Sequence, residues 1–333
     1  MDLSVLYLGM KLANPVVVGS GPLTRDVEGV VRCAEAGAGA VVLKSLFEEQ
    51  LRHDNRDVRE SMLSQAQGHS EVHEYLHADL EMQYASREYL RFIQECKRKV
   101  NIPVIASVNC TSVKFWEEFS AQTQVAGADA LELNISVYPD DPTTSAGTIE
   151  DEYVDIVSLA CQAVDIPIAV KLGSFFTNLP HLLSRLADAG ADGFVLFNRF
   201  YPPTIDVDKV EVTMGSRHSS PEELAGPLRA IGLYEGVVPG DFSATTGVHT
   251  GEDLLRVLLA GAANAQVVTT VLANGHEQIG VLIEYLKQWM QDHRYVAIDE
   301  FRGLLSQVRN PSSDFFSRRQ YMALYGRPAA NQT

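Results

Sequence analysis

The sequence has little cysteine and no apolar run long enough to cross a membrane, and each shortage argues against a class of protein. Without such a run we predict no transmembrane helix. The first residues, MDLSVLYLGMKLANP, lack a basic segment followed by a long apolar one, so we predict no secretory signal and expect a cytoplasmic protein. The four cysteines form no Cys-x-x-Cys pair, which argues against a zinc site, an iron–sulfur site or a disulfide framework.

Positive charge is also scarce, because 27 Lys and Arg face 43 Asp and Glu for a net charge of −16. A chain with this balance repels nucleic acid and anionic lipid, so we predict neither as a partner. A local basic pocket for one phosphate remains compatible with it. The 333 residues, 46% of them hydrophobic, can bury a large core. No low-complexity linker divides them, so we predict a single domain over residues 1–333.

A short pattern of helix end, Ala-Gly turn and apolar run occurs four times. The copies are AEAGAGAVVL from Ala34, QVAGADALEL from Gln124, LADAGADGFVL from Leu186 and LLAGAANAQVV from Leu258. Glycine is typical of the residue that ends a helix, and the apolar run that follows is typical of a buried strand. Repeated units of this kind predict strands that alternate with helices in a parallel sheet.

Eight segments have the composition or the spacing of barrel strands: Pro15–Gly19, Ala40–Lys44, Pro103–Val108, Ala130–Asn134, Pro167–Leu172, Gly193–Asn198, Asp241–Thr245 and Ala265–Thr270. Helical patterns lie between them, at Val27–Ala36, Phe115–Val125, Ile149–Val164, Leu179–Ala189, Pro221–Tyr234, Gly251–Ala260 and Glu277–Gln291. The segment Asp241–Thr245 is the weakest strand, because it has little apolar content. Eight such units predict an α/β fold, the (β/α)8 TIM barrel, with a doubly wound sheet as the alternative.

Two segments fall outside the repeating pattern. Residues 47–88 are polar and rich in His and Met, and they follow the second predicted strand. Long loops are often functional lids, so we predict a lid insertion over the mouth of the barrel. For residues 296–333, which follow the barrel pattern, we predict a short helical C-terminal extension.

Two lysines stand at the ends of predicted strands, where the active site of such a barrel lies. Lys44 ends the second strand and Lys171 lies near the end of the fifth. A lysine in an apolar strand is costly unless it meets an anion or a ligand, although its ammonium group can also reach solvent at the rim. Asn109, Asn134 and Asn198 add donors and acceptors that suit a planar heterocycle. These residues predict a polar ligand pocket.

The last two predicted strands indicate a phosphate site. ATTGVHTGED has a small turn with Thr246 and Gly247 before a helix, and VTTVLANG offers Thr269 and Thr270. Barrels commonly bind phosphate after strands seven and eight, through backbone N–H groups. The alternative is that these threonines only cap helices.

Several segments together resemble the dihydroorotate dehydrogenase family of flavin-dependent barrels, across nearly the whole chain. The matching segments are NPVVVGSGPLT, AVVLKS, LELNIS, IAVKL, LFN, LAGP, TTGVHTGED and VVTTVL, and their order and spacing carry the resemblance. It implies a bound FMN, a homodimer, and a place in pyrimidine metabolism. A separate electron-transfer partner is compatible with it.

The resemblance also implies which residues hold the flavin. It places Ser20, Gly21, Lys44 and Ser45 near the flavin, with Asn109 at the neighbouring strand end, and Asn134, Lys171, Asn198 and Gly226 around the ring and the ribityl chain. It places Thr246, Gly247, Thr269 and Thr270 at the phosphate. A cationic Lys171 beside the flavin N1–C2=O edge would stabilise the anionic reduced flavin.

The chain departs from the family at the catalytic base. Family members carry Asn-x-Ser-Cys-Pro-Asn, or Ser in place of Cys, where this chain has Asn134-Ile135-Ser136-Val137-Tyr138-Pro139-Asp140. Val137 stands at the position of the base and has no atom that can take a proton. The replacement candidates are Tyr138, Ser136 and Cys110, followed by His69 and Asp140. Dihydroorotate itself is therefore in doubt as the substrate.

Three functions are compatible with these residues. The first is an FMN-dependent oxidoreductase that acts on a CH–CH bond next to a carbonyl in a small substrate, such as a pyrimidine. The second is a flavin-binding protein that has lost this chemistry and has a binding or regulatory role. The third is a flavin-free barrel enzyme in which Lys44 or Lys171 forms a Schiff base.

Overall fold

Eight parallel strands close into a barrel surrounded by helices, which confirms the predicted (β/α)8 TIM barrel. The computed structural model describes residues 1–48, 87–110, 113–137, 141–199 and 201–311, together with Phe316. Most of the predicted lid 47–88 and much of the extension 296–333 lie outside the described residues. The lid and the single-domain organisation therefore stay predictions.

The strands are, in chain order, β1 (Val5–Tyr7), β2 (Met10–Leu12), β3 (Val16–Val18), β4 (Ala40–Val42), β5 (Leu46–Phe47), β6 (Val104–Asn109), β7 (Ala130–Asn134), β8 (Ile168–Leu172), β9 (Gly193–Leu196), β10 (Pro203–Asp206), β11 (Glu211–Met214), β12 (Asp241–Thr245) and β13 (Asn264–Val267). The barrel order is β4-β3-β13-β12-β9-β8-β7-β6, and β6 pairs with β4 to close it. The short β5 adds to β6 at the end that faces the mouth, which we define as the rim formed by the C-terminal strand ends.

The helices are Val27–Glu35, residues 87–99, Val113–Val125, Ala146–Ala163, Leu179–Asp188, Ala225–Tyr234, Gly251–Ala260, Thr269–Asn274 and Gln278–Asp292. Several helices have a side-chain cap at their first turn. Asp26 accepts a hydrogen bond from the Gly29 N–H, and Thr250 accepts one from the Asp253 N–H. None of the helices in the described ranges has the length and apolar character needed to span a membrane.

The weakest predicted strand, Asp241–Thr245, forms with the predicted bounds as β12. Its inward Ser243 hydroxyl donates to Asn264 Oδ1 at 2.6 Å, so a polar side chain is satisfied inside the barrel. The last strand was predicted too long, because β13 ends at Val267 and Thr269 already begins a helix.

Two hairpins were not predicted. The first, β1 and β2, lies at the N-terminal end of the barrel, where the Leu8 N–H donates to Asp241 Oδ2 at 2.7 Å. Tyr7 on this hairpin is fully buried. The hairpin therefore covers the end of the barrel opposite the mouth.

The second hairpin, β10 and β11, has an apolar face exposed to solvent. Its cross-strand pairs Pro203–Met214 and Ile205–Val212 lie on one face, since paired residues in a strand pair point to the same side. Ile205 and Val212 are 66% and 76% exposed. We call these four residues the hairpin apolar face.

Candidate active site

The strand register decides which side chains point into the barrel, because paired residues of neighbouring strands lie on the same face. Glu132 on β7 is paired with Ser107 on β6 and with Ala169 on β8, and Asn134 is paired with Lys171. All of these residues therefore face the interior. Asn134 and Lys171 lie nearer the mouth than Glu132.

A carboxylate–amide hydrogen bond crosses the barrel below the mouth. Gln266 Nε2 on β13 donates to Glu132 Oε2 on β7 at 2.6 Å, and these two strands stand opposite each other in the barrel order. Lys171 Nζ lies 3.6 Å from the other carboxylate oxygen, Glu132 Oε1. All three side chains are buried. We call Glu132, Lys171 and Gln266 the polar floor of the pocket.

Three predicted ligand residues meet above the polar floor at the ends of β7, β8 and β9. Asn198 Nδ2 donates to Asn134 Oδ1 at 2.8 Å, and Lys171 lies on the strand between them. Within the described ranges, no acceptor lies within hydrogen-bond distance of the Lys171 ammonium group. This arc therefore presents amide groups and a cation to the mouth.

A chain of hydroxyl groups joins the ends of β3, β4 and β6. Ser20 Oγ lies 3.0 Å from Ser45 Oγ, which lies 2.8 Å from Ser107 Oγ. The Ser45 N–H also donates to Ser20 Oγ at 2.9 Å. Gly21 follows Ser20, and a Cβ there would lie 3.0 Å from Val268 Cγ1, so the backbone passes close to β13. The structure thus brings the predicted residues Ser20, Gly21 and Ser45 together.

Lys44 and Asn109 lie at the same side of the mouth. Lys44 Nζ lies 4.4 Å from the centre of the Phe47 ring, a cation–π contact, and burial lowers the pKa of Lys44. Asn109 is half-buried at the end of β6. Lys44 follows β4 and Lys171 lies on β8, and β6 and β7 stand between these strands, so the two predicted lysines belong to different parts of the mouth.

The turn after β12 has an unusual backbone. Thr246 and Gly247 have φ angles of 72° and 87°. This region suits glycine but is strained for a β-branched residue such as threonine. The Thr246 hydroxyl donates to the Phe197 carbonyl at 3.1 Å and helps to hold the turn. Backbone strain of this kind is concentrated at functional sites.

Ser219, in the loop before the helix Ala225–Tyr234, contacts residues that follow β12 and β13. Its N–H donates to Thr269 Oγ1 at 3.2 Å, and its hydroxyl lies 3.1 Å from His249 Nε2. The Thr270 hydroxyl donates to the His249 carbonyl at 2.8 Å. The described part of the chain provides no acceptor for the backbone N–H groups of Gly247, Thr269 and Thr270. These N–H groups are donors available at this end of the mouth, as is the Thr269 hydroxyl, which only accepts in its contact with Ser219.

Tyr153 holds the start of the loop that follows β7. Its hydroxyl accepts from the Val137 N–H at 3.1 Å and donates to the Ile135 carbonyl at 3.4 Å, and burial raises the pKa of Tyr153. Val137 borders a cavity of about 270 Å³ between the helix Ala146–Ala163 and residues 173–177. It contributes hydrocarbon to that wall and no proton acceptor.

The candidate bases are only partly described. Ser136 is exposed and Cys110 is buried just after β6. Tyr138, Asp140 and His69 lie outside the described residues. Which of them, if any, takes a proton stays a prediction.

The other cysteines have the properties of packed side chains. Burial raises the pKa of Cys33 to about 11, of Cys96 to about 12 and of Cys161 to about 11. At neutral pH these thiols carry almost no reactive thiolate. Across the described ranges, no cluster of His, Cys, Asp and Glu side chains could hold a metal ion.

Sequence reasoning missed Glu132, Gln266, Ser107, Tyr153 and the Ser219–His249 contact. Glu132 had a detectable signal, because it shares the inward phase of Asn134 in the strand ALELN. The others depend on pairings between distant segments, which no local pattern reveals.

Comparison with known proteins identifies relatives over most of the chain. The chain is 25% identical over 345 residues to the chloroplastic dihydropyrimidine dehydrogenase (NADP(+)) of Arabidopsis thaliana, and the match covers 96% of this chain and 80% of the relative. It is 28% identical over 315 residues to the catalytic subunit of dihydroorotate dehydrogenase B (NAD(+)) of Methanocella arvoryzae, covering 90% and 96%.

It is also 24% identical over 339 residues to the NAD-dependent dihydropyrimidine dehydrogenase subunit PreA of Escherichia coli K12, covering 94% and 79%. Family models give no match to the chain. Over most of its length the chain is therefore similar to dihydroorotate and dihydropyrimidine dehydrogenases, which supports a dihydroorotate dehydrogenase-like oxidoreductase.

Proposed function

We propose that the protein is an FMN-dependent oxidoreductase that oxidises or reduces a CH–CH bond next to a carbonyl in a small substrate of the pyrimidine type. The observation that carries the proposal is the buried Lys171, which lies between Asn134 and Asn198 at the mouth with its N–H donors unused by the described residues. A buried cation with free donors suits a ligand that carries or develops negative charge.

The residues at the mouth suit the ring and the phosphate of FMN. Lys171, Asn134 and Asn198 would hold the ring, the Ser20 and Ser45 hydroxyls with Lys44 and Asn109 would line the neighbouring side, and Gly21 would allow a close backbone approach. The free N–H groups beside Thr246, at Gly247, Thr269 and Thr270, would hold the phosphate. When bound, FMN supplies the acceptor or donor of the two electrons. Lys171 would stabilise negative charge at the ring edge.

The substrate proposal stays within the pyrimidine class. Some relatives are named dihydropyrimidine dehydrogenases and others dihydroorotate dehydrogenases, so related chains are named for at least two ring substrates. Val137 offers no proton acceptor where the family resemblance places the base. We therefore expect little oxidation of dihydroorotate, with proton transfer to another substrate assigned to Tyr138, Ser136 or Cys110.

Purification followed by visible spectroscopy tests the proposal. We expect a yellow protein, or one that takes up FMN stoichiometrically, whose flavin is reduced anaerobically by a dihydropyrimidine or reoxidised by a pyrimidine. A colourless protein that takes up no FMN would contradict it and favour the Schiff-base alternative. A flavin that responds to no member of a pyrimidine panel would favour the binding or regulatory alternative.

Gly226 offers a sharp test of where the cofactor lies. A Cβ added there meets no atom within 4 Å, so Gly226→Ala should leave the apoprotein as stable as the wild type or slightly more stable. If FMN occupies this space, its dissociation constant should rise at least about tenfold, the scale of roughly 1.4 kcal/mol. Titration calorimetry measures this, with Gly280→Ala, equally open but on a different helix, as the matched control.

Unchanged FMN affinity in Gly226→Ala would remove Gly226 from the proposed site. A fall in affinity in Gly280→Ala as well would show a general effect on folding instead.

A protein partner is part of the proposal. Two relatives are named as subunits of larger enzymes, which supports an assembly of some kind. We propose a homodimer formed through the hairpin apolar face. That face carries no charge, so two chains of net charge −16 can meet there without placing like charges in contact. A separate electron-transfer partner and a cytoplasmic location stay predictions.

Replacing Ile205 by Asp tests this interface. A charge buried in an apolar contact is unfavourable, so we expect the dimer dissociation constant to rise at least about 100-fold. Sedimentation velocity measures it, with Thr204→Asp on the opposite face of the same strand as the control. A wild-type monomer, or an unaffected dimer in Ile205→Asp, would contradict the proposal.

A further inference from the structure

Glu132 is a buried carboxylate directly below the residue proposed to contact the flavin. It is 1% exposed, and Lys171 above it is 8% exposed. The distance from Lys171 Nζ to Glu132 Oε1 is 3.6 Å, which is too long for a hydrogen bond but within the range of an ion pair. The Glu132 carboxylate therefore attracts the Lys171 ammonium group by charge, and the N–H donors of the ammonium group stay available.

Gln266 fixes the position of the carboxylate from the opposite wall. Its Nε2 donates to Glu132 Oε2 at 2.6 Å, while Glu132 Oε1 and Gln266 Oε1 have no hydrogen-bond partner in the described part of the chain. An amide that donates to a carboxylate is oriented by it. Glu132 is thus held on the barrel axis, where it cannot move away from Lys171 without breaking this bond.

We propose that Glu132 is a positioning residue that offsets part of the Lys171 charge and so lowers the reduction potential of the bound FMN. This inference rests on the proposed function, because it concerns the same cofactor. Lys171 alone would favour the anionic reduced ring strongly. A negative charge 3.6 Å behind the ammonium group weakens the field that the ring receives and holds the ammonium group near the polar floor.

The direction of the effect follows from the signs of the charges. Glu132→Gln has the same shape and removes the negative charge, so the reduced ring becomes more stable and the potential rises. We expect at least a tenfold shift of the equilibrium toward reduced FMN, which for a two-electron couple is about 30 mV. Glu132→Asp keeps the charge but withdraws it by one methylene, so its shift should have the same sign and be smaller.

Spectroelectrochemical titration of the FMN-loaded protein measures these shifts. The matched control is Asp241→Asn, which removes a carboxylate from the same barrel. Asp241 lies four residues before the end of β12, about 13 Å along the strand from Thr245 at the mouth. We expect less than a threefold effect there. In a Lys171→Met background, Glu132→Gln should shift the equilibrium less than it does in the wild type, because the part of its effect that depends on where it holds the Lys171 ammonium group is then absent.

An unchanged or lowered potential in Glu132→Gln would overturn the inference. Should that variant not fold, Glu132→Asp decides, and a wild-type potential there would overturn the inference. An effect of Asp241→Asn as large as that of Glu132→Gln would also overturn it, because the charge would then act without regard to position. Failure of the proposed function is distinguishable, since the wild-type protein would then bind no FMN and give no potential at all.

Discussion

Lys171→Met is expected to slow flavin reduction by substrate at least about 100-fold, the usual cost of removing one group that stabilises developing charge. Methionine keeps much of the length of the side chain but has no N–H donor and no charge. Stopped-flow measurement at saturating substrate reports this step directly. A wild-type rate in the variant would exclude Lys171 from the reaction and leave the Asn134–Asn198 pair to account for the site.

The same change is expected to lower the free energy of unfolding by about 3–5 kcal/mol, because it leaves the Glu132 carboxylate buried without its cation. Urea denaturation of the apoprotein measures it. The double variant Lys171→Met with Glu132→Gln should regain most of this stability, since neither charge is then buried alone. It should not regain the rate of flavin reduction. Recovery of both would mean that Lys171 serves the fold and not the chemistry.

Gly247→Ala is expected to lower the free energy of unfolding by about 2–4 kcal/mol and to abolish tight FMN retention. Its φ of 87° is unfavourable for alanine, and the added Cβ would overlap the backbone nitrogen of Leu224. To relieve the overlap, the segment around Leu224 must move away from the turn that presents the proposed phosphate donors. Denaturation and FMN titration measure the two effects.

Gly127→Ala separates strain from overlap. Gly127 also has a positive φ, of 93°, but a Cβ there meets no atom within 4 Å, and it lies in the turn before β7 at the end opposite the mouth. We expect a loss of about 1 kcal/mol from the backbone alone and normal FMN affinity. A loss of FMN in this variant equal to that in Gly247→Ala would contradict the place assigned to the phosphate.

Local pattern was sufficient to predict most of the barrel strands, because they begin after a recognisable turn and are buried, whereas β12 was predicted partly from its spacing. β7 and β12 form with the bounds that were predicted. Thr269 and Thr270 were included in the last predicted strand, yet they begin a helix, where the Thr270 hydroxyl bonds to the His249 carbonyl. That bond depends on a segment twenty-one residues away.

The positions of the proposed ligand residues were predictable for a similar reason. Asn134, Lys171 and Asn198 stand at strand ends, and a barrel brings strand ends together whatever its detailed packing. Glu132 lies in the middle of a strand, where a carboxylate makes sense only once Gln266 and Lys171 are known to face it. Register between distant strands decides this, and register is a property of the closed barrel.

The Ser219 contacts have a consequence for the order in which molecules enter and leave. Ser219 bonds to Thr269 and lies within bonding distance of His249, so the loop that carries it is fastened over the end of the mouth assigned to the phosphate. If the phosphate of FMN is held by Gly247, Thr269 and Thr270 as proposed, these contacts would lie beside it, and we expect its release to require that they open. Loading and loss of the cofactor would then depend on the opening of this loop, a step that need not occur in each catalytic cycle.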